Sequence, residues 1–492
     1  MAAGSCLADR VLRGRARSEG LPWSWFVPLL PAVTALLVTG WRLGTPTYWR
    51  DETATITVAR RSPGEIVDLL GTIDAVHGLY YLLMHPVVTL FGTGEVATRL
   101  PSVLAAAVAA AMTALIGARV ADRFVGLVAG LLVAVSPAIS RYAQECRQYM
   151  LATALAAVAT YLLVRALERG DRRWFAAYAV SIALLGWLQI FCLLLLPAHA
   201  VTVATTRERT LPLIRRWLVS VAFPLAATVP LVLVALPQRR LQVEWISEPD
   251  RGAVELLLKM VSGSSWSIVP VLVLLGLALV RPVRPAGPVD PRWTAAAWAL
   301  LPPAILLGAS FVVPSYVFRY VLFCVPAMAL MIGLALRRLP VWAAGPVALA
   351  LALAAVPMHL DVREPDARID DTRSLAALLR EHQAPGDAIV FSDQRFRRVT
   401  APYPDAYRGL NDLALARTGA ATGTIDGKEV RPAELARRLA TVDRVWFVWR
   451  RFVSAAPVDK AKFRLITRDR DGFRKVVRYR YKGGTVTLYE RR

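Results

Sequence analysis

Long apolar stretches alternate with short, arginine-rich polar stretches from residue 25 to residue 358, and the alternation then stops. A membrane-spanning helix needs about 20 mostly apolar residues, with a range of roughly 17–25. By this length the chain is predicted to cross a membrane about eleven times. The predicted spans are residues 25–43, 99–119, 124–140, 149–167, 173–188, 190–206, 213–236, 266–281, 293–313, 317–336 and 340–358.

The arginines between these spans predict the orientation of the chain. With residues 1–24 as a cytoplasmic tail and the first span as a retained signal anchor, every dense short cluster falls on the inner side, as the positive-inside rule requires. The clusters lie at residues 119–123, 165–173, 207–216, 281–292 and 337–338. The outer segments are then residues 44–98, the junction at 142–149 and residues 237–265.

Residues 79–91 ("LYYLLMHPVVTLF") are apolar but too short to span the membrane. Counting them as a span would move all later arginine clusters to the outer side. We therefore predict that this segment is a juxtamembrane or partly immersed helix within the first outer segment.

Residues 359–492 contain no spanning stretch and predict a small extracytoplasmic domain of α/β or α+β type. Their hydrophobic pattern predicts helices at 371–381 and 432–439, strands at 388–391 and 444–449, and a final hairpin. The hairpin pairs 473–481 with 485–489 through a turn at Gly483-Gly484. The predicted fold class is therefore an α-helical polytopic membrane protein, with residues 25–358 in the membrane and one soluble domain.

Composition and charge agree with this fold class. The chain is 56% hydrophobic and has a formal net charge of +23. Most arginines belong to the inner clusters, so the charge predicts contact with membrane lipids and no nucleic-acid partner. The basic stretch 464–492 is not explained in this way, and either anionic headgroups or an anionic glycan would suit it. The high usage of Ala, Arg and Leu is typical of a GC-rich bacterium, which predicts a bacterial plasma membrane protein.

Two adjacent carboxylates, Asp51 and Glu52 in "YWRDETATI", follow the first span. The simpler interpretation is a helix N-terminus, where acidic residues are ordinary. The same outer segment carries His77, Tyr80 and Tyr81. Tyrosines at this depth are often interfacial residues and histidines are often ordinary surface residues, but here they gather beside a carboxylate pair.

Two further groups lie on the predicted outer side. Glu145, Arg147 and Tyr149 stand where one predicted span begins, and Arg319 with Tyr320 enters another. Ionisable residues at a membrane edge form salt bridges or extend to the interface, or they serve a function. A guanidinium group can hold a phosphate through two parallel hydrogen bonds. Carboxylates, arginines and aromatic rings on one membrane face suit transfer of a glycosyl group from a lipid-linked phosphate.

The order of these features resembles the GT-C glycosyltransferases, in the family 39-like branch that includes protein O-mannosyltransferases and the lipid A aminoarabinose transferase. The resemblance covers residues from about 41 to 336 and is absent from the C-terminal domain. It rests on Asp51-Glu52 and on "HGLYYLLMHPVVTLFG" (77–92), "EVATRLPSVLAA" (95–106), "YAQECRQYMLA" (142–152) and "FRYVLFCVPAMAL" (318–330). Relatives often carry Pro-Pro where this chain has His77-Gly78.

The resemblance implies a glycosyltransferase that uses a polyprenyl-phosphate-linked sugar donor and an outer-face site with inversion at the sugar. It implies that Asp51 is the catalytic base. We expect Glu52 to support the site by pairing with a neighbouring cation such as Arg50 or Arg147. His77, Tyr80, Tyr81, Glu145, Arg147, Tyr149, Arg319 and Tyr320 are the expected donor-binding residues. A mannose-like sugar and a cell-envelope acceptor (protein, lipid or glycan) are expected.

No cofactor is predicted, because the four cysteines and the His and Asp residues show no metal-ligand spacing, although a divalent metal stays open. The alternatives to an enzyme are a polytopic lipid or glycan transporter or flippase, and a polymer-binding assembly protein built around the C-terminal domain. Transporters often contain internal repeats, which are not visible in this sequence.

Overall fold

The computed structural model describes residues 25–243, 246, 248–280, 284–450, 460–467 and 472–492. The predicted cytoplasmic tail lies outside the described residues. So do the last residue of the predicted span 266–281 and short parts of 237–265 and 464–492.

Most of the chain up to residue 361 is helical. The helices are α1 (Phe26–Gly40), α2 (Arg50–Ala59), α3 (Pro63–Leu70), α4 (Gly78–Phe91), α5 (Glu95–Val120), α6 (Arg123–Ala134), α7 (Pro137–Ala143), α8 (Tyr149–Arg169), α9 (Arg172–Leu188), α10 (Leu195–Ala204), α11 (Leu211–Val243), α12 (Arg251–Ser262), α13 (Ile268–Val280), α14 (Pro291–Ala309), α15 (Val325–Leu336) and α16 (Val341–Asp361). Short 3₁₀ helices at Ala75–His77, Ile190–Leu194 and Phe318–Cys324 precede α4, α10 and α15.

Each predicted span coincides with at least one of these helices, but fewer are long and apolar enough to cross a membrane. Within the described residues five helices meet both conditions, or six if the bent pair α6–α7 counts as one span. The five are Glu95–Val120, Tyr149–Arg169, Leu211–Arg239, Phe318–Leu336 and Trp342–Asp361. The prediction of about eleven spans is therefore not confirmed, because helices such as α1 and α13 fall short of the spanning length.

Small residues allow the central helices to approach closely. A Cβ atom added to Gly117 on α5 would lie 2.8 Å from the Cα atom of Gly126 on α6. The buried face of α5 continues with Ala106, Ala109 and Ala110. Close packing of this kind is typical of membrane helices, where no hydrophobic force draws one helix to another.

Residues 44–98, the predicted first outer segment, contain α2, α3 and α4 with short turns between them. A capping box between Ser62 and Glu65 begins α3, and a left-handed Asp74 turns the chain before α4. The predicted short helix at 79–91 is confirmed as α4, whose 14 residues reach about 21 Å and do not span a bilayer.

The C-terminal region contains a five-stranded sheet with helices beside it. The helices are α17 (Thr372–His382), α18 (Gly419–Thr422), α19 (Pro432–Leu439) and α20 (Lys460–Thr467). The strands are β1 (Ala388–Phe391), β2 (Asn411–Asp412), β3 (Leu415–Arg417), β4 (Lys428–Glu429), β5 (Arg444–Arg450), β6 (Phe473–Tyr481) and β7 (Gly484–Arg491).

The sheet has the strand order β2-β1-β5-β7-β6, and β3 pairs separately with β4. Strand β1 runs parallel to β2 and β5, whereas β7 is antiparallel to β5 and β6. The predicted helices, strands and final hairpin are confirmed, with Gly483 at a positive φ of 108° in the turn. One hydrophobic cluster lies on each face of the sheet. The first includes Phe391 and Trp446, and the second includes Val390 and Phe447.

The C-terminal region packs directly on residues 44–98. Arg61 Nη2 donates to the carbonyl oxygens of Thr424 (2.7 Å) and Ile425 (2.9 Å). The Tyr403 hydroxyl donates to Glu95 at 2.7 Å. The segment that carries Asp51 therefore lies between the helical bundle and the sheet.

Candidate active site

Asp51 and Glu52 stand side by side in the first turn of α2 but have opposite environments. The Asp51 side chain is 24% exposed, whereas that of Glu52 is 0% exposed. Successive helical residues point about 100° apart, so one carboxylate can face an open site while its neighbour faces the core. Only Asp51 is placed to meet a substrate.

Glu52 forms a buried, two-pronged ion pair with Arg99 on α5. Arg99 Nε donates to Glu52 Oε1 at 2.9 Å and Arg99 Nη2 to Oε2 at 3.0 Å. The backbone N–H of Cys146 also donates to Oε1 at 2.9 Å. The expectation that Glu52 pairs with Arg50 or Arg147 is wrong, because Arg99 already satisfies both carboxylate oxygens. Glu52 thus ties α2 to α5 and to the junction before α8.

Arg319 lies beside Asp51 among aromatic rings. Its Nη2 atom is 3.7 Å from Asp51 Oδ2, and its Nε donates to the Tyr149 hydroxyl at 3.0 Å. The guanidinium carbon lies 5.9 Å from the ring centroids of Trp49 and Tyr149, and 5.6 Å from that of Tyr320. These cation–π contacts hold the Arg319 guanidinium group in place beside the Asp51 carboxylate.

Arg147 is buried and contacts α2, the helix that carries Asp51. Its Nη1 atom donates to the Asp51 carbonyl oxygen (3.4 Å) and to the Thr55 hydroxyl (3.2 Å). Its guanidinium carbon lies 5.9 Å from the Tyr149 ring centroid. Within the described part of the chain, no carboxylate lies at ion-pair distance from Arg147, and its buried Nε has no hydrogen-bond partner. A buried cation without an anion is costly, so Arg147 is suited to receive one.

His77 connects Arg147 to Asp74. His77 Nε2 lies 3.2 Å from Arg147 Nη2, and His77 Nδ1 lies 3.2 Å from Asp74 Oδ1. The Tyr81 hydroxyl donates to the other oxygen of Asp74 at 2.5 Å. Burial would raise the pKa of Asp74, but His77 and the hydrogen bonds from His77 and Tyr81 lower it below the ordinary value. Because Arg147 donates at Nε2, the imidazole accepts there and donates to Asp74 through Nδ1.

The structure does not bring three of the predicted donor-binding residues to the open side of the site. Tyr80 and Tyr81 are fully buried, and the Tyr80 hydroxyl faces the Cys146 sulfur at 3.8 Å. Glu145 is also fully buried, where it pairs with Arg141 and lies 3.6 Å from Arg368 Nη1. These side chains pack and brace the site, whereas Arg147 and Arg319 contact Asp51. His77 contacts Arg147, and Tyr149 and Tyr320 contact Arg319.

Arg99, Trp49 and Arg368 support the site but were not predicted from the sequence. Arg99 had a detectable signal, since an arginine near the start of an apolar helix has to find a partner. Arg368 had none, because its neighbours Gln144 and Glu145 lie more than 200 positions away in the chain. Among the described residues, no group of three or more His, Cys, Asp or Glu side chains is arranged to hold a metal ion.

Comparison with known proteins identifies the relatives of this chain. Residues 79–235 match the family of dolichyl-phosphate-mannose-protein mannosyltransferases. A comparison with curated protein sequences finds no match.

Several solved structures are similar in fold. ArnT from Cupriavidus metallidurans bound to undecaprenyl phosphate has a TM-score of 0.65 and 16% identity, covering 95% of this chain and 98% of that chain. ArnT from the same organism in the apo state has a TM-score of 0.64 and 15% identity, covering 94% and 97%. The archaeal oligosaccharyltransferase AglB from Archaeoglobus fulgidus, in complex with an inhibitory peptide and a dolichol-phosphate, has a TM-score of 0.50 and 12% identity, covering 87% and 69%.

The predicted resemblance to the GT-C glycosyltransferases is confirmed by the family match and the shared fold. The chain shares its fold with these glycosyltransferases, and its apolar helices together with this likeness indicate a multi-pass membrane protein.

Proposed function

We propose that this chain transfers a sugar from a polyprenyl-phosphate donor to a cell-envelope acceptor on the outer face of a bacterial plasma membrane, with Asp51 as general base. One observation carries the proposal. A partly exposed Asp51 carboxylate lies 3.7 Å from Arg319, and Arg147, without a carboxylate partner among the described residues, donates to the Asp51 backbone. A base and two phosphate-binding groups thus share one site.

Arg147 and Arg319 are proposed to hold the donor phosphate. The negative charge on the phosphate increases as the bond from the sugar to its oxygen breaks, and guanidinium groups already in place stabilise that charge. Support comes from the match to a family that uses dolichyl-phosphate mannose and from ArnT, which has the same fold and binds undecaprenyl phosphate.

Asp51 is proposed to accept the proton of an acceptor hydroxyl. As that oxygen attacks the anomeric carbon, the carbon–oxygen bond to the phosphate breaks and the configuration inverts. The proton passes to the Asp51 carboxylate, and the polyprenyl phosphate leaves with the bonding electron pair. A carboxylate that is 24% exposed is accessible to such an acceptor.

The aromatic residues are proposed to contact the sugar. Trp49, Tyr149 and Tyr320 surround the Arg319 guanidinium, and Tyr320 stacks on Phe191 with a centroid distance of 5.1 Å. A mannose-like sugar is the first candidate, because the family match is to mannosyltransferases. The lipid or glycan transporter alternative is not favoured, since the family and fold matches are to glycosyltransferases.

The proposal is tested with purified protein in proteoliposomes and a panel of radiolabelled undecaprenyl-phosphate sugars, beginning with mannose. We expect a cell-envelope extract to accept label from at least one donor and undecaprenyl phosphate to be released. Mass analysis of envelope glycans from a strain that lacks the protein should show loss of the same sugar. If no donor is consumed and no envelope glycan changes, the proposal is wrong.

A further inference from the structure

The six residues 43–48, which lead to Trp49 and α2, form no helix or strand. Backbone carbonyl groups in such a segment need donors from elsewhere. Here all six consecutive carbonyl oxygens accept hydrogen bonds from side chains, which come from two distant parts of the chain. Capture of every carbonyl fixes the path of the chain toward Asp51.

The first donor is Arg99 on α5. Its Nη1 atom donates to the carbonyl oxygens of Leu43 (3.0 Å) and Pro46 (2.8 Å), and its Nη2 atom donates to that of Thr47 (3.1 Å). The same guanidinium group binds both oxygens of Glu52. Arg99 therefore fixes the segment from the side of the helical bundle.

The remaining donors are Arg373 and Thr372, at the start of α17. Arg373 Nη2 donates to the Gly44 carbonyl at 2.7 Å, and Nη1 donates to the Thr45 carbonyl at 3.1 Å. The Thr372 hydroxyl donates to the Tyr48 carbonyl at 3.0 Å. Glu95 accepts from Arg373 Nη2 at 2.7 Å and keeps this guanidinium group oriented.

We propose that Arg373 and Thr372 are positioning residues for Asp51, so that the C-terminal region is part of the active site. The inference rests on the proposed function, in which Asp51 is the base. Thr372 holds the carbonyl of Tyr48, three residues before Asp51, and Arg373 holds the two carbonyls that precede Pro46. The start of α2 sets the 3.7 Å separation between Asp51 and Arg319, and small displacements of a reacting group cost much of the rate.

Simple docking of the C-terminal region is the competing explanation, and Arg61 provides a matched control for it. Like Arg373, Arg61 joins the outer segment to the C-terminal region by donating to two consecutive carbonyl groups. Unlike Arg373, it has no hydrogen bond to residues 43–48. Arg61→Ala therefore removes a docking contact and leaves the carbonyls of 43–48 bound.

The experiment compares Arg373→Ala, Arg373→Lys and Arg61→Ala in the full-length protein by hydrogen–deuterium exchange without substrate. The N–H groups of Glu52 and Thr53 bond to the Trp49 carbonyl, and that of Thr47 lies against the Pro365 carbonyl. We expect these amides to exchange about tenfold faster or more in Arg373→Ala, less so in Arg373→Lys, and at the wild-type rate in Arg61→Ala.

Kinetics with mannosyl-phosphoryl-undecaprenol supply the second readout. In Arg373→Ala, kcat should fall about 10- to 100-fold while KM for the donor stays within about twofold, because the phosphate-binding arginines are unchanged. Arg61→Ala should keep kcat. Millimolar methylguanidinium should partly restore kcat in Arg373→Ala, since the Arg373 side chain is 42% exposed.

Wild-type exchange at residues 43–53 in Arg373→Ala would overturn the inference. So would faster exchange with unchanged kcat, or the same loss of kcat in Arg61→Ala. Failure of the proposed function has a different signature, namely full turnover by Asp51→Asn, and the substrate-free exchange result does not depend on it.

Discussion

At the scale of single residues, the buried arginines Arg99, Arg147 and Arg319 differ in the groups that they bind. Arg99 is fully satisfied by Glu52 and by three backbone carbonyls. Arg319 lies 3.7 Å from Asp51 and donates to the Tyr149 hydroxyl, and no carboxylate of the described chain lies at ion-pair distance from Arg147. Burying a cation costs free energy that a substrate anion can offset. Arg147 and Arg319 both contact the partly exposed Asp51, and they are therefore the arginines we assign to the donor.

Arg319→Lys keeps the charge but removes the planar fork, so we expect turnover with the donor to fall about tenfold. Arg319→Ala should lower it about 10²- to 10³-fold, the usual cost of removing one donor to a developing negative charge. The measurement is sugar transfer at matched levels of folded protein. Arg337→Lys, whose partner is the partly exposed Asp122, serves as the control. Transfer at the wild-type rate by Arg319→Ala would make Arg319 an interfacial anchor only.

The candidate residues could be predicted at this scale, but their partners could not. Asp51, Arg147 and Arg319 are detectable because ionisable groups at a membrane edge are costly and rare. The partner of Glu52 depends on how α2 and α5 pack, which no local pattern encodes. For the same reason Tyr80 and Tyr81 were predicted at the site but lie in the core.

At the scale of elements, the buried ion pair between Glu52 and Arg99 fixes how α2 packs against α5. Glu52→Gln leaves Arg99 buried without its counter-ion, and breaking a buried pair in this way costs about 3–5 kcal/mol. We expect a clearly lower thermal midpoint in detergent. Glu168→Gln, which breaks partly exposed pairs with Arg119 and Arg165, should cost about 1 kcal/mol or less. Equal midpoints for Glu52→Gln and the wild type would show that the pair contributes nothing.

The junction between α7 and α8 should respond to pH through Glu145. Burial raises the pKa of Glu145 to about 7, although Arg141 and Arg319 act in the opposite direction. In the unfolded chain the group titrates near 4.3. The folded state therefore binds the proton more tightly, and its stability falls as the pH rises from about 4.3 to about 7.

Glu145→Gln lacks this titration and has nearly the same shape. We expect the thermal midpoint of the wild type, relative to that of Glu145→Gln, to decrease between pH 5 and pH 8. A difference that stays constant across this pH range would show that Glu145 is ionised throughout.

Elements were predicted well where the hydrophobic period is strong and local. Strand β1 and helix α19 have the predicted bounds, and the β6–β7 hairpin turns at Lys482-Gly483, one residue before the predicted Gly483-Gly484. The count of spans could not be fixed, because broken helices such as α6–α7, bent by 50°, divide apolar stretches that appear continuous in the sequence. Ser136 and Pro137 at the break start a new helix instead of extending the old one.

At the scale of the whole molecule, the arginine clusters predict that the site and the C-terminal region share the outer side. A phosphatase reporter fused to Arg492 should therefore be active outside the cytoplasm. The same reporter inserted at Gly170, between α8 and α9, should be inactive there. A cytoplasmic C-terminus would overturn the orientation and the outer-face site together.

The fold class was predictable from the length and apolarity of the segments, whereas the contact between the C-terminal region and residues 43–48 was not. Thr372 and Tyr48 are 324 positions apart, and hydrogen bonds to backbone carbonyls leave no trace in side-chain pattern. The sequence predicted a separate soluble domain, and the structure shows that its first residues hold the segment before Asp51.

The central claim is that the Asp51 carboxylate is the general base, and Asp51→Asn tests it most directly. Asn has nearly the same shape but cannot accept the proton, so the variant should fold and insert while turnover falls about 10²- to 10⁴-fold. The measurement is transfer of radiolabelled sugar from the polyprenyl-phosphate donor by purified wild type and Asp51→Asn, with protein level and thermal stability matched. Full activity of Asp51→Asn would contradict the claim and leave the carboxylate as an ordinary acidic residue of the first helical turn.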